Sequence, residues 1–124
     1  MCKEGYTFDE YEEDTSVTAA YPDLHIIIDG GKPIHVPWLY PLLGLMGESG
    51  EVCEKFKKIL REEGGHIGPD KYLEIEKEAG DIIWYLDKLA KSLGTNLATI
   101  AKINVDKVLS RLKRGVVKGS GDNR

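Results

Sequence analysis

Two stretches of about 25 residues, each with apolar side chains at three- and four-residue steps, leave this chain few folds to choose from. The first carries Leu39, Leu42, Leu45, Met46, Val52, Cys53, Phe56, Ile59 and Leu60, and the second carries Leu73, Ile75, Ala79, Ile82, Ile83, Leu86, Leu89, Ala90 and Leu93. That spacing predicts one helix from about Trp38 to Glu63, stopped by Gly64-Gly65. It predicts another that starts at Gly68-Pro69-Asp70 and ends at Gly94, where glycine tolerates the left-handed turn past a helix end. Each helix would run roughly 37 Å, long for a chain of 124 residues. Their broad apolar faces predict a bundle completed by another copy of the chain, a homodimer or a dimer of dimers.

The remaining segments fit around that pair. Thr7-Phe8-Asp9-Glu10 reads as a capping box that opens a first helix, because the Thr hydroxyl and the Glu carboxylate each satisfy the other's backbone N–H. Tyr21-Pro22 should end it near Ala20, since the residue before proline is forced out of the helical region. Residues 24–36 place Asp29-Gly30 between β-branched flanks, a hairpin signal. A fourth helix, capped by Thr95, should bury Leu97, Ile100, Ala101, Val105, Val108 and Leu112 and stop at Gly115. The Gly-rich polar tail, 115–124, is expected to be mobile. The fold class expected is all-α, about four helices with a short β-hairpin near residues 24–36, in a single domain over 1–124.

Composition excludes several classes. A chain of 13.8 kDa with 41% hydrophobic residues buries enough surface to need neither disulfides nor a structural metal. Cys2 and Cys53 have no partner Cys or His at zinc-ligand spacing. No apolar run reaches the ~18 residues of a membrane span, and the N-terminal residues lack a signal-peptide core. A cytoplasmic protein with no membrane association is expected. Net charge is −4, but it is unevenly spread: residues 102–124 hold 7 basic and 2 acidic side chains, residues 1–101 hold 10 and 19. An acidic body argues against a general nucleic-acid binder. A phosphate-bearing small molecule suits it better.

The acids are patterned. Glu48 and Glu51 stand three apart in the first long helix, Glu78 and Asp81 three apart in the second, and residues at that spacing share a helix face. If the helices pack antiparallel across their short turn, both pairs converge into a cluster of hard oxygen donors suited to Mg²⁺ or Mn²⁺. One such pair is usually only a solvated surface feature. Gly44, Gly47 and Gly50 around the first pair and Gly80 inside the second raise its interest, since a helix-interior glycine costs ~1 kcal/mol against alanine and implies close backbone approach or room for a ligand. Glu54, Glu74 and Glu76 read as surface or supporting acids. Asn104, Lys107, Arg111 and Arg114 form one stripe of the fourth helix, which is either a solvated face or a phosphate-binding row.

The blocks Tyr40-Pro-Leu-Leu-Gly-Leu-Met-Gly-Glu-Ser-Gly-Glu-Val-Cys-Glu-Lys, Lys77-Glu-Ala-Gly-Asp-Ile-Ile-Trp-Tyr-Leu, Asn104-Val-Asp-Lys and the ending Arg114-Gly-Val-Val-Lys-Gly-Ser-Gly-Asp-Asn-Arg together resemble the MazG-like nucleoside triphosphate pyrophosphohydrolases. That all-α family is marked by E-x-x-E and E-x-x-D, matched here by Glu48/Glu51 and Glu78/Asp81 with 26 residues between. The resemblance covers nearly the whole chain except residues 24–36. It implies Mg²⁺-dependent hydrolysis of a nucleoside triphosphate to monophosphate and pyrophosphate. Glu48, Glu51, Glu78 and Asp81 would be metal ligands, with Glu48 and Glu51 closest to the chemistry. Asn104 and Lys107 match phosphate-side positions, and Arg111 and Arg114 extend the row. Trp38 and Tyr85 are favoured over Trp84 for contact with the base, and the hairpin insertion before Trp38 for substrate selection.

Other motifs fail. Gly30-Gly31-Lys32 lacks the spacing of a P-loop, and a single Glu-x-x-His, Glu63 to His66, stands where a di-iron bundle requires two. A non-catalytic helical dimerisation module and a phosphoribosyl-ATP pyrophosphohydrolase remain as alternatives.

Overall fold

The structure, a computed structural model, describes residues 4–121. Cys2 and the closing Asp122, Asn123 and Arg124 lie outside the described residues. The element order is α1 (Phe8–Thr15), β1 (His25–Ile26), β2 (Ile34–His35), α2 (Leu39–Glu62), α3 (Pro69–Ser92) and α4 (Leu97–Lys113). The all-α expectation with a small hairpin holds. Among the described residues no helix is long and apolar enough to cross a membrane.

The capping box at Thr7 forms as expected, with Thr7 accepting from the Glu10 N–H and Glu10 accepting from the Thr7 N–H at 2.8 Å. The helix it opens stops at Thr15 rather than near Ala20. In the Thr15-Ser16-Val17-Thr18 run, Thr18 turns both its N–H (3.0 Å) and its hydroxyl (2.6 Å) onto the Thr15 carbonyl. Such local side-chain bonds compete with the helical ladder, so the chain leaves the helix before proline can end it. The hairpin is likewise shorter than its apolar flanks suggest: only His25↔His35 and Ile26↔Ile34 pair. Asp29-Gly30 does make the turn, closed by the Gly31 N–H on the Ile28 carbonyl at 2.6 Å.

The long helices match their expected bounds within one residue for α2 and two for α3. They are joined by the Gly64–Gly68 turn and account for most of the tertiary packing. Gly94 takes φ +75° past the end of α3, and the Thr95 N–H closes that end on the Ala90 carbonyl at 3.0 Å. The cap of α4 is Asn96, not Thr95: the Asn96 side chain accepts from the Thr99 N–H at 2.8 Å. The helix starts at Leu97, one residue later than a Thr95 cap implies.

The hydrophobic core is small. Val36, Ile59, Ala90 and Leu97 are buried, while Met46, Phe56, Leu60, Leu73, Ile83 and Leu93 of the long helices are exposed. On α4 only Leu97 is buried; Ile100 and Ala101 are half-buried, and Val105, Val108 and Leu112 face outward, contrary to expectation. The helix touches α1 and α3.

Polar links do what the thin core does not. α1 has no buried residue, yet its Glu12 carboxylate accepts from the Leu97 N–H at 2.8 Å. Just beyond it, Thr18 accepts from the Trp84 indole N–H at 2.7 Å. Beneath these, Asp87 and Lys88 are 0% and 4% exposed and pair at 2.8 Å. The Lys88 ammonium also donates to the Thr15 carbonyl at 3.3 Å, and Lys91 reaches Asp87 at 3.2 Å. Removing one partner of a buried pair strands the other charge. Lys88→Met is therefore expected to lower the unfolding free energy by roughly 3 kcal/mol, measured by urea denaturation.

Candidate metal centre

The turn between α2 and α3 sends the chain back on itself, so that positions on the two helices meet in a regular order. Glu63, just past the end of the first, pairs with Lys71 at 3.5 Å, and Lys55 reaches Glu74 at 3.5 Å and Glu78 at 3.3 Å. Two turns on, Glu48 meets Glu78 and Asp81, with one carboxylate oxygen from each within 4.8 Å of the others. Past that cluster Gly44 lies against the Tyr85 ring.

Glu48 and Glu78 are half-buried and Asp81 is exposed. The Glu48 carboxyl is pushed above the ordinary glutamate range, first by its partial burial and then by the charges of Asp81, Glu78 and Glu51. Three carboxylates this close repel one another, and the set offers only hard oxygen donors, which fits a hard divalent cation. Glu51 is exposed and stands outside the close trio, although its charge is felt at Glu48.

One helical turn from the cluster lies an aromatic group. Tyr21 stacks on Tyr40 with ring centroids 4.7 Å apart, Tyr40 lies 6.3 Å from Tyr85, and Trp84 meets Tyr85 edge-on at 5.0 Å. Tyr21, Tyr40, Trp84 and Tyr85 line an open groove of about 420 Å³ with Thr18, Ala20 and Pro22. The Tyr85 phenol is raised by burial, by Tyr40 and then by Glu48 and Asp81, so groove and acids share one electrostatic field. A larger groove of about 510 Å³ shares Tyr21 and Pro22, but its ammonium groups, Lys88 and Lys91, are bound to Asp87.

Gly44 is the glycine that close approach requires. A Cβ there would stand 2.1 Å from Tyr85 Cε1. Gly47, Gly50 and Gly80 instead face open space.

The other expected site residues are scattered. Trp38 is 41% exposed at the start of α2 and does not line the aromatic groove. On α4, Asn104 and Arg114 are exposed, Lys107 and Arg111 half-buried. Arg111 donates to the Gly121 carbonyl at 3.2 Å and Arg114 to the Ser110 hydroxyl at 3.2 Å. Among the described residues the ion pair made by the cluster is with Lys55, and none reaches α4. Lys55, Tyr21 and Tyr40 escaped the sequence reading as site residues. The signal for Lys55 was its place seven residues after Glu48, on the same helix face.

Residues 40–116 match the model of the MazG nucleotide pyrophosphohydrolase domain. The chain belongs to the MazG family. It is also 40% identical over 117 residues to the Gene 37 protein of Mycobacterium phage L5, covering 94% of this chain and 97% of that one. No solved structure matches it. The matched region contains α3 and α4 whole and α2 except Leu39, and with them all four acids of the two pairs. Membership makes the chain a hydrolase of the nucleotide pyrophosphohydrolase kind.

Two outcomes follow from the site. Gly44→Ala should cost about 1–3 kcal/mol by overpacking, despite the helix propensity it gains, and should alter the near-UV circular dichroism of Tyr85 and Trp84. For Glu48, a folded-state pKa above its unfolded value means that ionisation opposes folding. That penalty is present above the raised pKa and disappears as pH falls below the ordinary glutamate value. In EDTA, Glu48→Gln should therefore melt higher than the wild type near neutral pH. The gap should close as pH falls through that window, as read by differential scanning fluorimetry.

Proposed function

We propose that this MazG-family chain hydrolyses a nucleoside triphosphate, ribo or deoxy, to the monophosphate and pyrophosphate, in house-cleaning or control of a nucleotide pool. The observation that carries the reading is the meeting of Glu48, Glu78 and Asp81 from two helices, one turn from an aromatic groove.

Glu48, Glu78 and Asp81, with Glu51 alongside, hold Mg²⁺, for which Mn²⁺ is a substitute. When bound, the cation lowers the pKa of water and neutralises phosphate charge. Glu48 orients the attacking water toward the α-phosphorus, and Glu51, exposed one turn further along α2, accepts its proton. Tyr85 offers its ring to the base from within the groove, and Trp38, outside the groove at the start of α2, is the second aromatic for base contact. Asn104, Lys107, Arg111 and Arg114 hold the phosphates.

Among the described residues no ion pair joins the α4 row to the acids, and on our reading the site is completed by a second copy in a homodimer or a dimer of dimers. Two observations support this. The chain exposes 9370 Å², whereas a compact monomer of this mass exposes about 6,600 Å². Ile103, Val105, Val108, Leu109 and Leu112 of α4 are all exposed, an apolar row beside the basic one. A cytoplasmic location suits the substrate.

The test is product analysis of the purified chain with each common NTP and dNTP, resolved by anion exchange. Monophosphate plus pyrophosphate is expected, abolished by EDTA and reduced about 100-fold or more in Glu51→Gln. Diphosphate plus phosphate would place the cleavage at the wrong bond. Turnover of phosphoribosyl-ATP alone would move the substrate to that class, and no turnover by folded protein would make the chain a binding module.

A further inference from the structure

Lys55 is the cation that the described acidic cluster already holds. It lies seven residues after Glu48 on the same face of α2, its side chain 31% exposed. Its ammonium sits 3.3 Å from the Glu78 carboxylate and 3.5 Å from that of Glu74. Glu74 and Glu78 are one turn apart on α3, so the ammonium rests on a seat of two carboxylates. Only one of these, Glu78, belongs to the trio with Glu48 and Asp81. Glu74 is also held by Lys71 at 3.3 Å and has no part in that trio.

We propose that Lys55 is a built-in counter-cation that exchanges with the divalent metal for Glu78, with Glu74 as the seat to which it withdraws. This rests on the metal centre proposed above. In the metal-free protein, one ammonium offsets part of the mutual repulsion of Glu48, Glu78 and Asp81. When a dication takes Glu78, Lys55 keeps its contact with Glu74 and needs only to shift along a side chain that it already touches. The exchange has two consequences. The metal must displace a cation, so its affinity is lower than the acids alone would provide. The empty site is held together, so it need not collapse or open between turnovers. Lys55 is thus a positioning residue, acting through Glu78 rather than on the substrate.

The test is Mn²⁺ titration of the full chain, with free ion read by electron paramagnetic resonance, together with melting in EDTA. Lys55→Met is expected to bind Mn²⁺ about threefold to tenfold more tightly than the wild type, the range one partly exposed ion pair commands. It should also melt lower without metal. Lys55→Arg, which keeps the charge, should restore wild-type behaviour in both measurements. Glu74→Gln removes the seat, leaves Lys55 to Glu78 and should weaken Mn²⁺ binding. That loss should shrink by about half or more in the Lys55→Met background, where no exchange remains.

If the wild type binds Mn²⁺ and Lys55→Met binds it equally or less tightly, the counter-cation role is overturned and the metal centre stands. A raised KM for nucleotide with unchanged Mn²⁺ affinity would make Lys55 a substrate contact, which also overturns it. If neither form binds Mn²⁺, the metal centre itself falls and this role with it. Should Lys55→Met fail to fold, the sign of the Glu74→Gln effect decides alone: tighter or unchanged binding refutes the exchange.

Discussion

The antiparallel contact between α2 and α3 is the constraint on which everything else hangs. Gly44 meets Tyr85, Glu48 meets Asp81, and Lys55 meets Glu74. Each step along α2 is matched by an equal step back along α3. A single register therefore sets the aromatic groove, the acidic trio and the ion pair beside it. Shifting one helix by a turn would separate all three at once. The Gly64–Gly68 turn sets the register at one end. At the other, a missing Cβ at Gly44 lets a tyrosine ring lie against the α2 backbone.

The pair does not bury itself in the usual way. Several of its large apolar side chains remain in solvent, and α1 is secured by bonds from Glu12 and the backbone of Thr15 rather than by buried hydrocarbon. A chain built like this keeps one face of the bundle free. That is consistent with acids at partial exposure: they are dry enough for Glu48 to resist ionisation, yet open enough to be reached. The Asp87–Lys88 pair carries the opposite design, charges fully enclosed and mutually neutralised. The two acidic sites on α3 differ because one has its counter-ion built in at close range and the other has only Lys55 at its edge.

Much of this was legible before any coordinates. The capping box at Thr7, the glycine past the end of α3, the proline start of that helix and the Asp-Gly turn are local matters, decided by backbone sterics and by side chains within four residues. The paired acids were legible for the same reason, since i and i+3 on a helix share a face whatever surrounds it. Where local signals competed, reading failed. Thr15 to Thr18 ended α1 by bonding to its own backbone before Tyr21-Pro22 was reached. Asn96 rather than Thr95 capped α4, because the helix starts at Leu97, one residue later than the Thr95 cap implied.

Sequence alone determined which residues form the two long helices, which carry negative charge on a common face, and the family to which the blocks at 40–55, 77–86, 104–107 and 114–124 point. Periodicity and spacing are intrachain properties, and each helix expresses them without reference to its neighbours. Tertiary structure alone decided which of four acids come within 4.8 Å of one another, that Glu51 stands apart, that Lys55 belongs with Glu78, and that the apolar row of α4 is exposed. Those outcomes depend on helix register and rotation across an interface, and a shift of one residue there turns a face by about 100°. No pattern within either helix encodes that angle.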